Sequence, residues 1–182
     1  MTKVFIGGSR SVTRLNALVR QRLDRIIEKG FPVLVGDANG ADKAVQKYLH
    51  SRGYRSVEVF CTNGICRNNI GNWPTRAVAA PPSARGFDFY AVKDAQMARE
   101  ASIGFMLWDG KSRGTLSNIE RMLEKNKSVV VFRAPAGQCM TIRTQKDLER
   151  LSRSRETRAR RSTKGLLTLP RAESRTTRVG LF

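Results

Sequence analysis

From residue 3 to residue 133, short β-branched and aromatic runs alternate with stretches of helical periodicity. Lys3 to Ile6 is the first such run, a predicted strand with a tight exit into Gly7-Gly8. Over 12–29, Leu15, Leu18, Val19, Leu23, Ile26 and Ile27 recur at helical spacing, and Gly30 ends the helix. Pro32 to Val35 predicts strand two, which runs into Gly36-Asp37-Ala38-Asn39-Gly40 and a helix over 41–51. Val57 to Cys61 predicts strand three. Between 62 and 86 the pattern has no steady period, so this stretch is read as a long functional or flexible loop. Helix resumes over 87–101, strand four covers 103–108, a helix covers 116–125 and strand five covers 128–133. Residues 139–151 add one further strand and a short helix.

Strands separated by helices imply an α/β fold, a Rossmann-like three-layer α/β/α architecture around a mainly parallel sheet of order 3-2-1-4-5. In that order strands one and four are neighbours at the topological switch point, where such sheets bind ligands at their carboxyl ends. Two polar, glycine-bearing turns follow these two strands: Gly7-Gly8-Ser9-Arg10 and Asp109-Gly110-Lys111-Ser112-Arg113-Gly114-Thr115. Each leads toward a helix start, where unpartnered N–H groups and the helix dipole favour an anion. Their convergence in one nucleotide-sized crevice follows from topology.

Length and composition fit one domain, 1–151, followed by an appendage. The chain has 182 residues, 40% of them hydrophobic, which is enough for a packed core. From 152 to 182 the composition turns to Arg, Ser and Thr, and this segment is expected to be a disordered basic tail. No apolar run approaches the ~20 residues of a membrane span, and the N-terminus reads as a strand rather than a signal peptide. A cytoplasmic protein without a membrane partner is expected.

The three cysteines, an odd number, point to free thiols rather than structural disulfides. Cys61 and Cys66 have zinc-like spacing, but His50 is the sole histidine and no second ligand pair exists. No metal and no cofactor are expected. The formal net charge is +19; 152–182 carry nine Lys/Arg against two Glu, and 1–151 carry 25 against 13. The basic character therefore extends over the domain, and it steers DNA, RNA or anionic small molecules toward the surface. A merely solvated surface has the same composition.

Gly7, Gly8, Ser9 and Arg10 offer backbone donors, a hydroxyl and a guanidinium that forks onto phosphate. Ser112, Gly114 and Thr115 offer close backbone approach and hydroxyls, which serve either a ligand or an N-cap. Neither turn is a familiar phosphate loop. Residue 105, five positions before Gly110-Lys111-Ser112, is Phe, and no Gly-x-Gly-x-x-Gly starts at Gly7. A P-loop ATPase and a Rossmann dehydrogenase are thereby set aside. Asp37 suits ribose hydroxyls or a helix cap, and Asp42 suits the dipole of the helix it begins. Asp109 is placed for sugar binding or chemistry. Trp108 reads as core, whereas Trp73, in a polar segment with Arg67, Asn68 and Asn69, reads as a platform for a base.

These segments, together with Lys93-Asp94-Ala95-Gln96-Met97, resemble the SLOG superfamily over roughly residues 3 to 135. That superfamily comprises Rossmann-like domains shared by the DNA-processing protein DprA, the LOG cytokinin-activating phosphoribohydrolases and small bacterial nucleotide-sensing proteins. The resemblance implies that the glycine-rich turns bind phosphate or ribose of a nucleotide-derived ligand, and it implies a homodimer. Aligned through Gly114-Thr115, Asn118 stands where LOG enzymes carry a catalytic glutamate, and Lys93 stands for their arginine. An amide is no general base or carboxylate nucleophile, which favours ligand sensing over hydrolysis. Two alternatives stay open. One is N-glycosidic cleavage or transfer, of phosphoribohydrolase or nucleoside deoxyribosyltransferase type, supported by Asp109 or Asp37. The other is nucleic-acid binding in the manner of DprA.

Overall fold

The computed structural model describes residues 1–153. The segment expected to be a basic tail lies, from 154 onward, outside the described residues. Among the described residues, seven strands and five helices follow in the order β1 (Val4–Gly8), α1 (Ala17–Glu28), β2 (Val33–Gly36), α2 (Ala41–Ser51), β3 (Val57–Thr62), β4 (Thr75–Val78), α3 (Gly86–Glu100), β5 (Ile103–Trp108), α4 (Arg113–Leu123), β6 (Val129–Arg133), β7 (Gln138–Ile142) and α5 (145–153).

The strands form one sheet of order β4-β3-β2-β1-β5-β6-β7. All pairings are parallel except β6 with β7. The expected 3-2-1-4-5 core is its central part, with strands four and five now β5 and β6. Two edge strands extend it. β7 was anticipated from the sequence. β4 was not, because its four residues, mostly exposed, lie inside the stretch read as a loop.

Period-two alternation distributes each central strand between two cores. Val4, Ile6, Val33, Val35, Val57 and Val59 pack with Val19, Leu23, Val45 and Leu49 on the side covered by α1 and α2. Phe5, Leu34, Phe60, Met106 and Trp108 pack with Met97, Ile119, Met122 and Leu148 beneath α3, α4 and α5. The sheet is covered on both faces, which explains its near-continuous apolar strands. Two helix starts differ from expectation for a local reason. Asn16 caps α1, its Oδ1 accepting the Val19 N–H at 3.0 Å, so residues 12–15 form a loop instead of a first turn. Ser112 caps α4 in the same manner at 3.3 Å, starting that helix three residues before the predicted Leu116.

Cys61, at the end of β3, and Cys66 form a disulfide, with Cα atoms 5.1 Å apart. This corrects the expectation of free thiols there: the bend after β3, with an isolated bridge between Thr62 and Ile65, returns residue 66 to the strand end. Cys139 is free. Among the described residues no helix is long and apolar enough to cross a membrane, and no group of three His, Cys, Asp or Glu is placed to hold a metal ion.

Candidate functional site

β1 and β5 lie side by side, with Gly8 opposite Leu107, so the turns that follow them meet at the carboxyl edge of the sheet. Gly8 is required for this approach, since a Cβ there would collide with the Leu107 carbonyl and lie 2.9 Å from the Cβ of Ala41. The turns are then stitched together. Ser9 N–H donates to the Leu107 carbonyl at 2.8 Å, and Asp109 N–H donates to Ser9 Oγ at 3.1 Å. Ser9 Oγ is 3.1 Å from Thr115 Oγ1, which donates to Ser112 Oγ at 3.1 Å. The hydroxyls thus form a directed chain from the Asp109 amide through Ser9 and Thr115 to Ser112. Ser112 Oγ already accepts two hydrogen bonds, so its own proton is the chain's terminal donor.

A cleft of about 640 Å³ opens over this junction. Gly7, Gly8, Arg10, Ser112, Gly114 and Thr115 line it, bringing residues of both turns to one cavity. Ser9 is fully buried within the chain of hydroxyls, so the expectation that it contacts phosphate is corrected: it joins the two walls. Arg10 is exposed, its guanidinium carbon 5.8 Å from the centre of the Tyr90 ring. At the start of α4 the Ser112 side chain takes up the Thr115 N–H. The Arg113 and Gly114 N–H groups, in the first turn, have no intrahelical acceptor.

Asp109 also lines the cleft, yet its oxygens organise the turn. Oδ1 accepts the N–H groups of Lys111 and Ser112 at 2.8 and 2.7 Å, and Oδ2 accepts the Ser11 hydroxyl at 2.6 Å. Burial works to raise its pKa, but these donors outweigh it and hold the carboxyl below the ordinary range.

One wall of the cleft carries an ionic cluster: Asp42, Arg67, Lys93 and Asp94 line it, with Asp37 behind them. Asp37 is 1% exposed and accepts from Arg67 three times: from the backbone N–H and Nε at 3.0 Å, and from Nη2 at 2.7 Å. Burial favours its neutral form, yet the Arg67 hydrogen bonds and the charges of Lys93 and Arg67 bring its pKa below the ordinary value. Lys93 is 3% exposed; its ammonium lies 2.8 Å from Asp94 and 3.7 Å from Asp37. Burial opposes that charge, but Asp94, Asp42 and Asp37 together raise the Lys93 pKa. Asp42 takes the Ala38 N–H at 3.1 Å and is pushed up to about 6 by burial, against the pull of Lys93. Gly36 leaves room for this packing, since a Cβ there would meet Asp42 Oδ2 and Lys93 Nζ. Asn118 Nδ2 donates to Asp94 at 3.1 Å, and its oxygen accepts from Arg121 at 2.9 Å, so the amide ties α3 to α4.

Several expected base or ribose contacts take other roles. Asp37 lies behind Arg67, closed off by the fork, and does not face a sugar. Asn68 is buried, donating to the Asp37 carbonyl at 2.7 Å and Asn39 Oδ1 at 3.1 Å. Asn69 closes the turn to Trp73 through two hydrogen bonds, of 2.8 and 3.0 Å. Trp73 is 7% exposed in the α1–α2 core, donating from Nε1 to the Tyr54 carbonyl at 2.9 Å, with His50 edge-on to its ring. A polar sequence neighbourhood suggested a stacking platform; the segment folds inward and buries the indole. Arg67 and Lys93 do line the cleft, each already paired.

The cleft also contains Phe87 and Tyr90, which motif reading overlooked, and Asp94, which it quoted in a motif without assigning it a contact. Their signal is the spacing Phe87, Tyr90, Ala91, Asp94, one stripe of α3. Comparison with protein-family models, curated proteins and solved structures finds no match for this chain.

Proposed function

We propose that this cleft binds a nucleotide or nucleotide-derived ligand and serves recognition rather than catalysis. The observation that carries the reading is the convergence of both glycine-bearing turns on one 640 Å³ cavity at the switch point of the sheet. Phosphate belongs against the Arg113 and Gly114 N–H groups, with Ser112 as an added donor. Arg67 is neutralised by Asp37 and Lys93 by Asp94, which leaves the exposed Arg10 as the counter-charge for the phosphate. Recognition is favoured because Asp37 is closed off, Asp109 holds its own turn, and the α4 position of interest is the amide Asn118.

The test is thermal unfolding of the full chain with a panel of nucleotides. A ligand at 100 times its Kd adds about 2.7 kcal/mol, or roughly 5–10 °C in Tm for a domain of this size. Arg10→Ala should remove that shift. No shift with any nucleotide, or a shift untouched by Arg10→Ala, overturns the reading.

One observation favours a second reading, N-glycosidic cleavage: Asp42, whose pKa is raised to about 6, lines the cleft and suits a general acid. Release of free base from nucleoside monophosphates, abolished in Asp42→Asn, would establish it. Intact nucleotides after prolonged incubation would exclude it for those substrates.

A further inference from the structure

The cleft-facing stripe of α3 changes character along its length. At its inner end Asp94 is bound to Lys93 and Asn118; at its outer end stand two aromatic rings, Phe87 and Tyr90. The Tyr90 ring is held: the Arg67 guanidinium lies over it at 4.2 Å from its centre, and Phe89 meets it edge-on at 5.2 Å. Phe87 is different. It is 54% exposed, and among the described residues it alone of the exposed large hydrophobics, Met1, Ile65 and Phe87, lines the cleft. Its Cε2 lies 3.3 Å from where a Cβ on Gly114 would stand. The ring edge therefore rests on the first turn of α4, beside the N–H groups assigned to phosphate.

We infer that the base of the bound nucleotide stacks on Phe87, at the outer end of this stripe. The inference rests on the nucleotide reading above and supplies its second anchor. A nucleotide joins phosphate to base through one sugar, so an anion at the α4 N-terminus brings the base to a neighbouring surface. Every nucleobase presents a π-face, and an aromatic ring standing in water beside a phosphate site is the surface that accepts one. Such a platform discriminates nucleotides from sugar phosphates, and it is tolerant among bases.

Calorimetric titration of the full-length protein with AMP, GMP, CMP, UMP and ribose 5-phosphate tests the assignment. In the wild type, at least one nucleoside monophosphate should bind roughly 5- to 150-fold more tightly than ribose 5-phosphate, the span that base–aromatic stacking supports. Phe87→Ala and Phe87→Leu should bring that nucleotide to the affinity of ribose 5-phosphate and leave ribose 5-phosphate itself unchanged. Phe87→Trp should retain the gap, with indole fluorescence quenched by the nucleotide and not by the sugar phosphate. Equal wild-type affinities, or a gap that survives in Phe87→Ala, overturn the stacking site and leave the phosphate site standing. If neither the nucleotides nor ribose 5-phosphate bind the wild type, the nucleotide reading falls and the base site with it.

Discussion

Ser9 Oγ and Thr115 Oγ1 lie 3.1 Å apart and join the turn after β1 to the first turn of α4, across 106 positions of sequence. Both side chains are buried, and together with Asp109 N–H and Ser112 Oγ they form the seam between the walls of the cleft. Ser9→Ala strands the Asp109 amide and one partner of Thr115 in the interior. A loss of about 1–3 kcal/mol in urea unfolding is expected. Thr115→Val should cost a similar amount, and the double variant less than the two together, because both remove the same bond. Strict additivity would mean that the two hydroxyls do not interact.

Arg67 and Asp37 form the pair most sensitive to disruption. The Arg67 side chain is 29% exposed and that of Asp37 is 2% exposed, so water screens only one partner. Arg67→Ala leaves a buried carboxylate whose remaining cation, Lys93, is 3.7 Å away. Stability at pH 7 should fall by about 3 kcal/mol, the lower end for breaking a buried pair. The folded pKa of Asp37 is depressed, so its contribution is present above the unfolded value and is lost as pH falls through the folded one. Guanidinium melts of wild type and variant should therefore converge in acid, below about pH 4. A gap that persists there would assign the loss to packing instead.

Asp42 has the opposite sign. Its folded pKa of about 6 lies above the unfolded value of 3.8, so the folded state binds the extra proton between these limits. Its stabilising contribution is complete below pH 3.8 and is lost as pH rises to about 6. Asp42→Asn keeps an oxygen for the Ala38 N–H and cannot ionise. Its stability relative to wild type should rise by about 3 kcal/mol between pH 3 and pH 7, the shift converted at about 1.4 kcal/mol per pKa unit. Thermal melts across that range at constant ionic strength would show it. A difference independent of pH would place the Asp42 pKa at its ordinary value.

The Cys61–Cys66 disulfide closes a short loop, with a sequence separation of 5, immediately before Arg67. Alkylation in denaturant should modify one thiol, Cys139, before reduction and three after it. Reduction should lower stability by about 2 kcal/mol, the chain-entropy value for so small a loop. Cys66→Ser should show the same loss and no further response to reductant. Three reactive thiols in the untreated protein would show that the pair is not oxidised.

The central fold was legible because five buried strands write themselves as apolar runs and the helices between them as periodic stripes. Val33–Gly36 and Ile103–Trp108 were recoverable almost to the residue. β4 was not, since an edge strand of Thr, Arg, Ala and Val with little burial has no pattern to display. At the site, the meeting of the two turns was readable from their place after neighbouring strands, but the burial of Ser9 between them was not. What a residue contacts across the fold was not. Asp37 stands 30 positions from Arg67, and nothing local distinguishes a carboxylate held by a distant guanidinium from one open to ribose. Trp73 failed for the same reason: of its polar neighbours in sequence, Asn68 turns its amide to the Asp37 carbonyl and Asn39, Asn69 turns its own to the Trp73 carbonyl, and the indole goes into the core.

Gly8 offers the sharpest test of how the cleft is built. A Cβ at this position would strike the Leu107 carbonyl, which itself accepts the Ser9 N–H, and would crowd Ala41 at the start of α2. Neither neighbour is the free end of a flexible side chain, so Gly8→Ala must part β1 from β5 or lift α2. Gly30 provides the control: its φ is +62°, but a Cβ there meets nothing within 4 Å. Gly30→Ala should cost about 1 kcal/mol, the ordinary penalty of a left-handed residue. Gly8→Ala should cost about 3 kcal/mol, as overpacking against backbone does. Under the proposed function, it should also weaken nucleotide binding in proportion to the widening of the β1–β5 edge, whereas Gly30→Ala leaves that binding unchanged. Equal losses at the two positions would mean that the strands yield easily, and that the close approach of the two turns is not what shapes the cleft.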